Sequence, residues 1–393
     1  MTRLPQGFAL LLSVMLTGCA PAPEPPVDVL ITNVTVIDAE SAPRPDYRVL
    51  INAGRIVAVE PANPIDASQQ PAAREIIDGN GRFLIPGLWD MHVHFLYDSA
   101  LTESMAELFL RYGVTSVRDT GGNVTQMRVI ADQLEQAAYA PRLFYSGPLL
   151  DGRFVVYDGG DSGRPELGTA VAETSAAERQ VAQLQEAGAS FIKIYELVDP
   201  EVFAALADAA RRENMPIASH VPLLMTAEEA GPLADSMEHL RNVELACATN
   251  WAALLDERTQ IISGFTEGRG YDLRRQLHAL QRLPAIAAYD ARRCDQVLAR
   301  LTQTLQVPTL RLNTVAMEQP FLRDDWPAAL AGLPENIQQI WQERAAQIQD
   351  AAAETDHTFA EWSLFLIERL QANNVPIAAG TDAPIGLGIP GYS

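Results

Sequence analysis

The pattern of hydrophobic and polar positions changes once along the chain, at about residue 86. Before that point, short β-branched runs alternate with turn-forming residues. Two of these runs, 48–51 and 55–59, flank Asn52-Ala53-Gly54, a spacing that predicts a tight hairpin. A later run at 75–77 stops at the turn-forming cluster 78–81. This part of the chain therefore predicts a small β-sheet domain over residues 28–82.

After Pro86, short apolar runs alternate with stretches of helical periodicity. Helix-start signals occur at Ser175, at Asp199-Pro200 and at Thr226. Strands separated by helices predict parallel β-α-β units. The predicted strands lie near residues 84–92, 114–118, 142–146, 190–195, 216–220, 236–239, 307–313 and 376–381. Eight of them favour an α/β fold, a (β/α)8 TIM barrel over residues 83–393, with a helical insertion at about 245–305.

Composition and charge narrow the classes of partner. The chain has 393 residues, of which 48% are hydrophobic, so it carries ample material for a large core. Its formal net charge is −21, and so acidic a surface repels phosphate backbones. We therefore expect no nucleic acid partner. Whether the chain forms a homo-oligomer stays open.

The first residues predict export rather than part of the fold. Arg3 precedes the apolar stretch 7–16, which is too short to span a bilayer. Leu16-Thr17-Gly18-Cys19 resembles the bacterial lipobox, which implies a lipoprotein signal peptide at 1–19 and a lipid on Cys19. A proline-rich linker, 20–27, follows. We expect a periplasmic protein that is anchored to a bacterial membrane, the outer one, by this lipid alone. The alternative is an ordinary secretory signal that ends in a chance cysteine.

Two cysteines remain in the body of the chain, Cys247 and Cys294. An oxidising compartment allows a disulfide between them. Two buried free thiols are the alternative, because pairing cannot be read from spacing.

Metal-compatible side chains recur at the ends of the predicted strands. His92 and His94 are two apart, so both point to the same side of a strand. At the carboxyl end of a barrel strand they can face one metal ion. The others are Lys193, His220, His239 and Asp382. Each alone is typical of a satisfied polar residue, or of a snorkelling lysine in the case of Lys193, but together they favour a metal centre.

This order of residues resembles the binuclear amidohydrolase superfamily, and most of all its exported imidazolonepropionase-like and prolidase-like branch. The resemblance covers the chain from about Asp28 onward. The phrases that carry it are 85–94 (IPGLWDMHVH), 113–119 (GVTSVRD), 191–195 (FIKIY), 236–240 (SMEHL) and 380–384 (GTDAP).

The resemblance implies a role for each residue. His92, His94 and Asp382 would bind one divalent ion, such as Zn²⁺, and His220 and His239 a second. Lys193, carboxylated on its side-chain nitrogen, would bridge both ions, because an ammonium group cannot act as a ligand. A bridging hydroxide would hydrolyse the C–N bond of an amide, dipeptide or cyclic amide, with Asp382 as the catalytic proton carrier.

Further residues are assigned with alternatives. Arg118, Tyr157 and Tyr195 are predicted to bind substrate near the mouth of the barrel, with a structural salt bridge as the alternative for Arg118. His278 and His357 lie in charged, helix-like surroundings and are predicted to be surface residues.

Two alternative functions and one difference from the family pattern remain. One rival is a lipid-anchored, non-catalytic binding or scaffold protein with a vestigial metal site. The other is a mononuclear deaminase-like enzyme, against which Lys193 argues. In the family the chain continues past the position of Ser393 with an eighth barrel helix and further strands, so we expect a barrel and a composite β-sandwich that are incomplete at the C-terminus. Substrate and native metal stay open.

Overall fold

The computed structural model describes residues 25–62, 71–160, 164–350 and 356–393. The predicted signal peptide, with Cys19 and most of the linker, lies outside the described residues. The chain divides into two compact units, Met1–Pro86 and Gly87–Ser393. Each unit is described separately below.

The N-terminal unit is a four-stranded sheet in the order β3-β2-β1-β4. Strand β1 pairs antiparallel with β2 and parallel with β4. Ala53 and Gly54 have φ of 49° and 71°, which two-residue hairpin turns require, so the predicted hairpin is confirmed. The prediction of a strand ending at residue 77 is wrong, because the backbone passes through 78–81 and continues pairing. The strands are β1 (Val27–Val36), β2 (Arg44–Asn52), β3 (Arg55–Pro61) and β4 (Ala73–Leu84).

The second unit contains the strands of a parallel barrel. They form one sheet in the order β5-β6-β7 and another in the order β13-β12-β11-β10-β8-β9. Ser190 donates to the carbonyl of Tyr145, which connects β7 to the strand region before β10. The strands are β5 (Leu88–Val93), β6 (Val114–Asp119), β7 (Arg142–Tyr145), β8 (Leu149–Asp151), β9 (Gly168–Ala170), β10 (Ile192–Ile194), β11 (Ile217–Ser219), β12 (Ser236–Glu238) and β13 (Leu305–Val307).

The segment 376–383 closes the ring between β13 and β5. Ala378 donates to Gln306 on one side, and Met91 donates to Ala379 on the other. Gly380 makes this approach feasible, because a Cβ at this position would lie 2.6 Å from the side chain of Val307 and 3.0 Å from Cβ of His92. Among the described residues, the barrel therefore has eight strand positions, called staves below. One of them is interrupted and consists of β7 and β8 together, and the total is the eight that the predicted TIM barrel requires.

Helices follow the barrel strands and bury apolar faces against them, for example Val202, Phe203 and Leu206 of α4. The helices are α1 (Thr102–Arg111), α2 (Val124–Gln136), α3 (Ala177–Glu186), α4 (Pro200–Arg212), α5 (Ala227–Ala230), α6 (Val243–Ala246), α7 (Trp251–Gly264), α8 (Gly270–Ala287), α9 (Ala291–Ala299), α10 (Leu310–Asn313), α11 (Trp326–Leu330), α12 (Glu335–Asp350) and α13 (Thr358–Ala372).

Two local predictions need correction. The seventh strand does not span 307–313, because β13 ends at Val307 and Thr309 turns into the left-handed region (φ 44°) before α10. The capping box at Ser175 is absent, since a short 3-10 turn occupies 174–176 and α3 starts after it. The capping box at Thr226 is confirmed, with Glu229 as its second member.

The region of the predicted insertion contains α6 to α9. A disulfide joins Cys247 to Cys294 and closes a segment that holds α7 and α8, which decides between the two alternatives left open for these cysteines. Within the described ranges, none of the helices combines the length and the apolar character needed to cross a membrane.

Candidate metal centre

The six predicted ligands lie at one end of the barrel, and all six line one cavity. His94, His220 and His239 directly follow β5, β11 and β12, while His92 and Lys193 lie within β5 and β10. Because all these strands run parallel, their carboxyl ends meet at the same rim. The fold thus gathers residues that are up to 290 positions apart in the sequence.

His92, His94 and Asp382 form the tighter group. Their ligand atoms all lie within 4.8 Å of one another, and Oδ1 of Asp382 is 3.4 Å from Nε2 of His92 and 3.1 Å from Nε2 of His94. All three residues are buried. Two imidazoles and a carboxylate that converge in this way form a donor set that suits a divalent transition metal ion.

His220 and His239 lie beside this group. The ring centroids of His220 and His239 are 4.8 Å apart, and those of His239 and His92 are 4.4 Å apart. Burial lowers the pKa of His239 well below its usual value and that of His220 to about 3. Both rings are therefore neutral at physiological pH, which is the form that binds a metal ion.

The Nδ1 atoms of three of the four imidazoles already have hydrogen-bond partners. Nδ1 of His92 lies 2.7 Å from Glu238, Nδ1 of His220 lies 2.6 Å from Glu196, and Nδ1 of His239 lies 2.6 Å from the hydroxyl of Thr309. A carboxylate only accepts, so Nδ1 of His92 and of His220 carries the proton. Their Nε2 lone pairs are then available for a metal ion.

Lys193 is the only lysine in the sequence. It is 1% exposed, and its Nζ has no hydrogen-bond partner among the described residues. Burial lowers the pKa of Lys193 to about 8, so a sizeable fraction of the amine is neutral near physiological pH. A buried amine without a partner is costly, and this one lines the same cavity as the four histidines.

Two of these residues have strained backbones. His239 and Asp382 have φ of 64° and 60°, the left-handed region that residues with a side chain rarely adopt. Hydrogen bonds hold both turns, since Asn313 donates to the carbonyl of His239 and Asp382 donates to that of His92. A strained backbone conformation persists only where the surrounding structure holds it in place, and such conformations are common at functional sites.

The cavity in front of the ligands measures about 280 Å³. Tyr157 and Tyr195 line it, and their role in substrate binding stays a prediction. Sequence reasoning did not identify the other polar lining residues, which come from several loops and from α8. The cavity is lined by His92, His94, Tyr97, Leu149, Tyr157, Arg164, Leu167, Lys193, Tyr195, His220, His239, Arg241, Tyr271, Arg274, Leu312, Asp382 and Ile385.

Arg118 needs a correction, because it does not line the cavity. Its guanidinium donates to the carbonyl of Met91, to Ser236 and, at 2.6 Å, to Glu238. Burial alone would raise the pKa of Glu238, but Arg118, Lys193 and His92 hold it well below its usual range. The structural salt bridge is therefore the role that the geometry supports, with Arg118 keeping the partner of His92 ionised.

His278 is buried, so its prediction as a surface residue is wrong. It lies on α8, and its Nε2 is 2.6 Å from Glu196. The charged surroundings in the sequence belong to a helix that packs over the strand ends. His357, in contrast, is exposed at the start of α13, as predicted. Glu196 and Glu238 were also missed, although each directly adjoins a predicted site residue.

Part of this chain is similar to known proteins. Residues 83–250 match the model of the amidohydrolase family. An adenine deaminase of Desulforamulus reducens is 30% identical over 96 residues, which are 24% of this chain and 15% of that protein. An imidazolonepropionase of Idiomarina loihiensis is 35% identical over 79 residues, 20% of this chain and 19% of that protein. The chain thus spans less than a fifth of either relative.

The fold has counterparts among solved structures. A Xaa-Pro dipeptidase with methionine bound in its active site aligns with a TM-score of 0.58 and 17% identity, over 92% of this chain and 80% of that one. At this identity the likeness concerns the fold. The family match covers the first part of the barrel, so residues 83–250 are similar to the amidohydrolase family.

Proposed function

We propose that the chain is a metal-dependent hydrolase of C–N bonds in small amides, dipeptides or cyclic amides. One observation carries the proposal. A single buried cavity contains four imidazoles, one carboxylate and an amine without a partner, and the Nδ1 atoms of His92, His220 and His239 are already engaged. The names of the relatives, an adenine deaminase and an imidazolonepropionase, support chemistry at a C–N bond.

The residues present fit a pair of metal ions. Among the described residues, Nζ of Lys193 and Oδ1 of Asp382 are buried atoms without a hydrogen-bond partner, which fits a site where a bound metal ion would complete their environment. His92, His94 and Asp382 would hold one ion, and His220 and His239 the other. Lys193, once it carries CO2 as a carbamate, would offer an oxygen to each. Such ions would polarise a carbonyl and lower the pKa of a water molecule.

Asp382 is the residue that we assign to proton transfer. Burial would raise the pKa of this carboxyl, but His94 and His92 outweigh it and keep the pKa below the usual value. Asp382 is therefore ionised and can accept a proton from the attacking water. The same carboxyl can then return the proton to the leaving nitrogen.

The outer wall of the cavity favours a substrate with an anionic group. Arg164, Arg241 and Arg274 line it together with four tyrosines, although the chain as a whole carries a net charge of −21. Of these three, Arg274 is paired with Glu196 at 2.8 Å. Nε of Arg241 is buried and has no hydrogen-bond partner within the described part of the chain. Since a guanidinium binds a carboxylate through two parallel hydrogen bonds, we propose that the substrates are N-acyl amino acids or dipeptides.

The test is a metal analysis followed by a panel of N-acyl amino acids and Xaa-Pro dipeptides. We expect two ions per chain, hydrolysis of a panel member, and a carbamate signal from Lys193 when ¹³C-bicarbonate is supplied. Because Lys193 is the sole lysine, that signal has one side-chain source. Lys193→Ala should lower kcat/KM by about 100-fold or more, since several kcal/mol of transition-state stabilisation would be lost.

Two results would contradict the proposal. One is wild-type protein that binds metal but hydrolyses nothing in the panel, which would favour the scaffold alternative. The other is a Lys193→Ala variant with full activity and two ions. Tyr139→Phe is a suitable matched control, because Tyr139 is 89% exposed and should leave both measurements unchanged.

We also propose that the protein is exported and anchored by a lipid on Cys19. The lipobox-like sequence supports this, and so does the Cys247–Cys294 disulfide, because disulfides persist mainly in oxidising compartments. Cys19→Ser should move the protein from the membrane fraction to the soluble periplasmic fraction. Equal membrane association of variant and wild type would contradict the anchor.

A further inference from the structure

A fully buried carboxylate, Glu196, lies directly behind His220. It follows β10, and the protein contacts both of its oxygens. Oε1 is 2.6 Å from Nδ1 of His220 and 2.8 Å from a guanidinium nitrogen of Arg274, while Oε2 is 2.6 Å from Nε2 of His278. Glu196 therefore connects a predicted metal ligand to two side chains of α8.

The chemistry of these groups fixes where the protons lie. A guanidinium nitrogen of Arg282 is 3.2 Å from Nδ1 of His278. Since a guanidinium can only donate, Nδ1 of His278 accepts, and Nε2 carries the proton that is donated to Glu196. Glu196 in turn accepts from Nδ1 of His220. The result is a directed chain of hydrogen bonds that leaves Nε2 of His220 without a proton.

Helix α8 is also held in place at several other buried points. Gln281 accepts from Arg258 of α7, and Arg282 pairs with Glu244 of α6 at 3.5 Å. The disulfide between Cys247 and Cys294 closes the segment that contains this helix. The side chains that meet Glu196 thus come from a helix that side-chain contacts and a disulfide connect to its neighbours.

We propose that α8 is a positioning element for the second metal half-site, His220 and His239. His278 and Arg274 hold Glu196, and Glu196 holds the ring orientation and the tautomer of His220. This inference rests on the proposed metal-dependent function. Without His278, one oxygen of Glu196 would be buried and unpaired. The carboxylate would then turn toward Arg274 and Arg241, the latter 3.9 Å away, and His220 would be free to rotate.

The experiment compares three α8 variants with the wild type in competitive metal titrations. His278→Leu removes the donor to Glu196, and His278→Gln restores an N–H group at a similar distance. Leu277→Ala is the matched control, because Leu277 is a buried neighbour in an apolar cluster. We expect His278→Leu to weaken the second ion about 10–100-fold, the usual effect of losing a group that orients a ligand, while the first ion is retained.

The other variants show whether the effect is specific. His278→Gln should recover most of the affinity for the second ion. Leu277→Ala should lower the thermal stability without changing that affinity. If His278→Leu does not fold, Arg282→Leu provides the test, because Arg282 is partly exposed. Without its guanidinium, the tautomer of His278 is no longer fixed, and binding of the second ion should weaken in the same direction.

The outcomes separate this inference from the function on which it rests. A wild type that binds no ions overturns both. A wild type with two ions, together with a His278→Leu variant that binds the second ion as tightly, overturns the positioning role alone. The same holds if Leu277→Ala weakens the second ion as much as His278→Leu does, because the effect would then be a general loss of packing.

Discussion

At the scale of single residues, Arg241 is the side chain best placed to recognise an anionic substrate. It lines the cavity, and its buried Nε lacks a partner among the described residues. Charge-assisted hydrogen bonds are worth about 1.5–3 kcal/mol. Arg241→Ala should therefore raise KM about 10–100-fold for substrates with a free carboxylate, as measured by steady-state kinetics.

The matched comparison for this prediction uses the corresponding carboxamide substrates. Their KM should be nearly the same in Arg241→Ala and in the wild type, because no carboxylate is present to lose its partner. An equal rise in KM for both substrate series would show that Arg241 shapes the cavity rather than recognising an anion.

His278 should give the stability of the metal-free protein a recognisable pH dependence. Burial lowers the pKa of His278 to about 4 in the folded state, against about 6.5 in an unfolded chain. Between these pH values His278 is protonated in the unfolded chain but neutral in the folded one. Its contribution to the free energy of unfolding therefore falls as the pH drops from 6.5 to 4. In His278→Gln, that loss should be smaller by roughly 3 kcal/mol, as measured by urea unfolding.

Other buried groups titrate in the same range, which is why the comparison with the variant matters. Burial raises the pKa of Asp90 and of Asp119 to about 6. For these two carboxyls, stability rises as the pH falls, which is the opposite sign. Both are present in variant and wild type, so the difference between the two curves isolates His278. Parallel curves would contradict the assignment.

That the six candidate ligands lie together could be predicted from the sequence, whereas the groups that contact them could not. His92 and His94 stand out by their spacing and their position at a strand end, and Asp382 ends an apolar run. Glu196 and His278 carry no comparable signal, because their contact joins positions 82 apart through the packing of α8. Arg118 was assigned to substrate because the sequence does not show on which side of the barrel its side chain lies.

At the scale of elements, the disulfide between Cys247 and Cys294 should stabilise the region of α6 to α9. It joins residues 47 positions apart, and closing a loop of this length removes unfolded-state entropy worth roughly 4 kcal/mol. The double variant Cys247→Ala/Cys294→Ala should lose stability by about that amount in chemical unfolding. Reduction of the wild type should give a similar loss, and unchanged stability after either treatment would contradict the prediction.

The order of elements could be read from the alternation of strands and helices, but their boundaries could not. The eighth stave, 376–383, pairs through a few backbone hydrogen bonds on each side, and the third stave is interrupted between Tyr145 and Leu149. Apolar runs predict where such staves lie. Turns such as the one at Thr309, with its left-handed backbone, depend on contacts with other elements.

At the scale of the whole molecule, bound metal should contribute to the stability of the barrel. Ligands that bind only the folded state add about 2.7 kcal/mol per site at 100 times their dissociation constant. Chelation should therefore lower the unfolding midpoint by about 7 °C for two sites in a chain of this size. Calorimetry with and without chelator measures the shift.

Variants of Lys193 supply the control for that measurement. If the lysine contributes a ligand to both ions, the chelator-induced shift should be clearly smaller in Lys193→Ala than in the wild type. A shift of the same size in both proteins would mean that the metal stabilises the fold from some other place.

The position of Asp382 has a consequence for the order in which the protein is built. His92 and His94 leave the ribosome nearly three hundred residues before the carboxylate that completes their group, and Asp382 reaches them only when the stave 376–383 closes the ring. Lys193, His220 and His239, in contrast, come from three consecutive staves. The group of His92, His94 and Asp382 can therefore be complete only after residue 382 has emerged, whether from the ribosome or during the proposed export, whereas the chain has supplied Lys193, His220 and His239 well before that point.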